Sequence, residues 1–141
     1  MRKYLNIALC VCAIVVMVGC KGTSTNQNVR ETLFDKTLPE VKALVDGRWE
    51  LISGENATEM GEFENTFITF DGDRYIWSED GVDQPDALNW RLAPTGAGYD
   101  AWLMDVFYAD SPSYPLAVVG DTLYIQDCTE TAYKYTLLRR K

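Results

Sequence analysis

"GRWELIS", residues 47–53, is the stretch from which the rest of the chain can be read. Trp49 and Leu51 fall on one side of an extended segment, and Arg48 and Glu50 fall on the other. A period of two belongs to a half-buried strand, because successive side chains point to opposite faces. The same texture recurs downstream. "FENTFITF" and "RYIW" flank Asp71-Gly72-Asp73, a hairpin signal, and "SEDG" closes the next turn. "ALNWRL" leads into the glycine-rich "PTGAGYD", and "AWLMDVFY" and "YPLAVVG" are separated by "ADSPS". Gly120-Asp121 puts glycine first in a tight loop, as a type II′ hairpin requires, before "TLYIQ" and "AYKYTLLR". These are eight segments with short connections, the pattern of consecutive antiparallel pairing. Residues 47–139 suffice for one barrel or one sandwich, and closing the barrel removes the edges that invite aggregation. The expected fold is all-β: an eight-stranded antiparallel up-and-down barrel. The interior of such a barrel is just wide enough to be filled by side chains or to hold one small ligand.

Upstream, "TLPEVKALVDG" predicts one short helix. Thr37 stands at the N-cap with Glu40 at capping-box spacing, and Pro39 sits in the first turn, where its missing N–H costs little. Val41, Leu44 and Val45 share a face. Before the helix, residues 20–36 are expected to be a tether, polar with no apolar periodicity from 21 to about 30, so that the folded domain covers 37–141.

The first 19 residues have a different character. Arg2 and Lys3 precede an almost unbroken apolar run over residues 5–19. That run falls short of the about 20 residues a membrane-spanning helix needs. A positive start, a short apolar run and small residues at its end make a secretory signal peptide over 1–19. Met17-Val18-Gly19-Cys20 resembles the lipobox of bacterial lipoproteins, with Met17 where that family usually has Leu. The resemblance implies cleavage before Cys20, which then carries a diacylglycerol thioether and an amide-linked acyl chain such as palmitate. Two or more chains make a stable anchor, each buried methylene contributing about 0.8 kcal/mol. Lys21 is not the Asp that marks inner-membrane retention in many such lipoproteins, so the resemblance points to a lipid-anchored envelope protein of the outer membrane.

Of four cysteines, Cys10 and Cys12 leave with the signal peptide and Cys20 is lipidated, so Cys128 has no partner for an intramolecular disulfide. The net charge of −8 becomes −10 once Arg2 and Lys3 are removed. That balance argues against a nucleic-acid partner and permits a cationic one.

"GRW" with a short helical turn before it resembles the G-x-W start of lipocalins. In that family the tryptophan packs at the closed end of the barrel, and a basic residue from the last strand lies over it. The resemblance gives Gly47, Trp49 and Arg139 these roles, with Arg140 as a substitute. Together with "ITFDGDRYIW", "DTLYIQ" and a terminal "YTLLRR", the region 47–140 resembles the small lipocalin-like domains of bacterial envelope lipoproteins. The chain is shorter than a true lipocalin and has neither the disulfide nor the C-terminal helix common there.

The chain contains no histidine, which removes the commonest general base and transition-metal ligand. Phosphate-binding glycine loops and C-x-x-C pairs are also missing, and Asp71, Asp73 and Asp80 lack calcium-loop spacing. The reading is therefore a non-enzyme with no cofactor or metal. Asp105, inside "WLMDVFY", faces either the lumen or the solvent. Trp77, Trp90, Trp102, Tyr124, Tyr133 and Tyr135 either line a ligand mouth or build the core that a small disulfide-free domain needs. Two functional classes follow. One is a monomeric, lipid-anchored barrel that takes a small apolar ligand or a partner's loop. The other is an inhibitor or accessory protein acting through its acidic face on a cationic enzyme such as lysozyme. An open cavity favours the first. A filled barrel with a protruding loop, at residues 94–100 or 109–113, favours the second.

Overall fold

The computed structural model describes residues 30–106 and 110–140, with the side chains of 30–32 left aside. The signal run, Cys20 and most of the tether lie outside these residues. Eight strands form the barrel: β2 (Gly47–Glu55), β4 (Thr66–Asp71), β5 (Arg74–Glu79), β6 (Val82–Pro94), β7 (Asp100–Val106), β8 (Ser113–Val119), β9 (Thr122–Asp127) and β10 (Lys134–Arg139). Each pairs antiparallel with the next in sequence, and β10 closes the barrel on β2. All eight segments expected from the alternation are strands. The helix α1 spans Leu38–Val45. Glu40 accepts hydrogen bonds from both the Thr37 backbone N–H and the Thr37 hydroxyl, each at 2.7 Å.

Turn chemistry sets the register. Gly72 and Gly120 have φ of +61° and +58° at the first loop position, where type II′ hairpins need glycine. Asp80 and Gly81 are both positive, at +48° and +80°, as in a type I′ turn.

Two short strands lie outside the sequence reading. The strand β1 (Arg30–Thr32) pairs with β8, Arg30 opposite Val119 and Thr32 opposite Ala117. Among the described residues the barrel partner β7 pairs with β8 at Met104 and Ser113. Since β9 occupies the other edge of β8, β1 pairs along the same edge as β7. Leu33, next in the chain, is 2% exposed. The strand β1 and the buried Leu33 lie inside the stretch 20–36 expected as tether. The other short strand, β3 (Met60–Glu62), pairs with the second half of β2.

The main core fills the half of the barrel nearest α1. Val41, Trp49, Leu123 and Leu137 are all 0% exposed there. A second, smaller cluster of Ala101, Leu103 and Tyr114 lies on the outer face of β7 and β8. The β6–β7 loop packs on it, with Tyr99 Oη 2.8 Å from Tyr114 Oη.

Candidate functional site

The two ends of the barrel are built differently. At one end α1 lies across the opening. The Trp49 indole N–H donates to the Val45 carbonyl at 2.7 Å. The Arg139 guanidinium stacks 4.1 Å from the Trp49 ring centroid and donates to the carbonyls of Asp46 and Leu44, at 3.0 and 3.1 Å. One arginine thus caps the C-terminus of α1 and covers the indole, an arrangement favoured by the helix dipole and by cation–π attraction. Arg140 points away and pairs with Glu50.

Beyond Trp49, toward the other end, the interior is unfilled. A cavity of about 260 Å³ lies among Leu51, Ile68, Leu88, Met104 and Ile125. Phe63, Tyr75, Trp77, Val106 and Tyr135 complete most of its wall. Ser111, Ser113 and Asp127 add polar groups. A cavity of roughly 150 Å³ takes benzene, so this one holds about ten non-hydrogen atoms by proportion.

The polar groups cluster. Tyr135 Oη donates to Asp127 Oδ2 at 3.3 Å. Burial, opposed by this hydrogen bond, raises the Asp127 carboxyl above its ordinary range. Burial, the Asp127 charge and the donated hydrogen bond push Tyr135 up to about 12, so its hydroxyl stays protonated and donates.

The six aromatic candidates separate. Trp77 and Tyr135 line the cavity. Trp90 packs against the core and donates to the Gly72 carbonyl at 3.3 Å. Trp102 does the same toward the Lys36 carbonyl at 3.1 Å. Tyr124 lies between inward Leu123 and Ile125, so it faces outward, with Lys134 Nζ 5.9 Å from its ring centroid. Tyr133 lines a shallow groove outside the cavity and donates to Glu59. These four are core or outer-surface residues because indole N–H groups seek carbonyls and strand parity sends alternate residues out. Asp105 is on the solvent side, paired with Arg91 at 2.6 Å. Cys128 is a free thiol whose pKa burial raises, away from the reactive thiolate.

Sequence reasoning passed over Asp127, Phe63, Tyr75 and Met104 as cavity residues. Asp127 carried a signal, because "TLYIQD" puts it in parity with inward Leu123 and Ile125.

Comparison of the chain with protein families, curated proteins and solved structures returns no match.

Proposed function

We propose that this protein is a lipid-anchored envelope lipoprotein whose lipocalin-like barrel binds a small apolar ligand. The observation that carries the reading is the 260 Å³ apolar cavity on the side of Trp49 away from the α1-covered end. Pockets that bind small molecules are concave and mostly apolar, with a few polar groups that fix orientation. The G-x-W start, with Arg139 over Trp49, supports the lipocalin likeness. An unfilled interior favours a binding module over an inhibitor of a cationic enzyme.

The anchor is Cys20, on the strength of the lipobox-like tetrapeptide. Arg30 enters beside Val119, next to the Gly120-Asp121 hairpin at the α1-covered end.

The test is titration with naphthalene, followed through the methyl resonance of Met104. The reading expects a saturable shift in the wild-type protein. It expects no shift in Val106→Trp, which sets an indole in the cavity while thermal unfolding confirms a folded barrel. Equal shifts in both proteins would place the probe elsewhere and reject the cavity as the site.

A further inference from the structure

The cavity has one feature that an apolar ligand alone leaves without a role. Among the described residues that line it, Asp127 is the single charged side chain. It sits where the inward row of β9 places Leu123 and Ile125 before it. Its hydrogen bond comes from Tyr135 Oη at 3.3 Å, a long contact. Among the described residues no lysine or arginine pairs with it, whereas Asp73, Asp105, Glu55 and Glu50 all have cationic partners.

A half-buried carboxylate without a cation is costly to keep in a mostly apolar chamber. An apolar residue at 127 would pack there without that cost. A ligand cation supplies what the protein does not: an opposite charge at a desolvated site, where ion pairing and charge-assisted hydrogen bonds are strongest. The lining suits the same guest, since it includes the aromatic rings of Trp77 and Tyr135, and Tyr135 adjoins Asp127 through its hydroxyl. The chain's net charge of −8 draws cations toward the barrel from a distance.

We infer that the cavity takes a small amphiphilic amine, its apolar body among Leu51, Ile68 and Leu88 and its ammonium on the Asp127 carboxylate beside the Tyr135 hydroxyl. The inference rests on the reading of the barrel as a small-ligand binder and adds the charge of the ligand. The volume limits the enclosed part to about ten non-hydrogen atoms, the size of an arylethylamine or a short alkylamine. Larger amines must leave part of themselves in the mouth.

Three probes of one shape separate charge from shape: 2-phenylethylamine, 2-phenylethanol and 3-phenylpropionate. Their dissociation constants are measured by calorimetry on the full chain and on Asp127→Asn. The expected result is that the amine binds wild type about tenfold or more tighter than the alcohol, and that the carboxylate binds weakest. Asp127→Asn is expected to bring the amine down to the alcohol and to leave the alcohol unchanged. Equal binding of amine and alcohol by wild type would overturn the amine inference and leave the apolar-ligand reading intact. So would an amine preference that survives Asp127→Asn. If none of the three probes bound, both readings would fall together.

Discussion

At Gly47 the backbone has φ of +109°, and a Cβ there would lie 3.0 Å from Arg139 Nη1. Glycine is required at this position twice, by conformation and by the approach of the guanidinium. Gly47→Ala is therefore expected to lower stability by straining the turn and displacing Arg139. Trp49 is fully buried, and truncating such an indole typically costs about 3–5 kcal/mol. Arg139→Ala should cost less. The two should couple by about 0.5–2 kcal/mol in a double-mutant cycle read by urea unfolding, with Arg140→Ala additive to Trp49→Ala. Additivity of Trp49 and Arg139 would show that the stacking contributes no energy. Asp127 makes the opposite prediction. Its carboxyl is raised by burial, so the native state holds the proton more tightly than the unfolded chain does. The contribution to stability is present below about pH 3.9 and lost as pH rises through the raised value. Asp127→Asn should therefore be at least as stable as wild type at pH 7, with the advantage gone near pH 3. A less stable Asn variant at pH 7 would make the carboxylate a structural group. The residues of the covered end were legible because Gly47 and Trp49 begin a strand and Arg139 ends one. Asp127 was less so, because it ends its strand at a turn, and a carboxylate at a strand end ordinarily faces water.

The eight barrel strands announce themselves by alternation, and several of their connections by glycine or Asp-Gly turns, at Gly72, Asp80-Gly81 and Gly120. The strand β1 does not. "RET" has no apolar alternation, and its place depends on the edge of β8 at Ala117–Val119, with which it pairs. The strand β3 is equally silent: all three residues of "MGE" are exposed, and it is specified by the partner β2 rather than by burial. This is tertiary context overriding a weak local pattern. If β1 belongs to the folded unit, Leu33 is core rather than tether. Leu33→Ala should then cost about 2–5 kcal/mol, the range for a buried leucine, measured by denaturant unfolding. A cost near zero would return residues 30–36 to the tether.

For the whole molecule, the decisive fact is that the barrel is filled at one end and hollow beyond it. Composition could not distinguish these cases, since the same aromatic residues serve a core or a cavity. All four of Trp77, Trp90, Trp102 and Tyr135 pack against the core, and Trp77 and Tyr135 also line the cavity. The proposed lipid anchor belongs to this scale too. Cys20→Ala should leave the chain unprocessed or release it from membranes, and mass spectrometry of the detergent phase reads the result. Retention there with the wild-type acyl mass would put the lipid elsewhere. The central claim, that the barrel keeps an apolar chamber for a small guest, is tested most directly by a crystal of the protein under xenon pressure. Xenon enters dry apolar cavities and is located by its scattering. The account predicts a xenon site enclosed by Leu51, Ile68 and Leu88. Those side chains closed on one another, with no xenon between them, would contradict it.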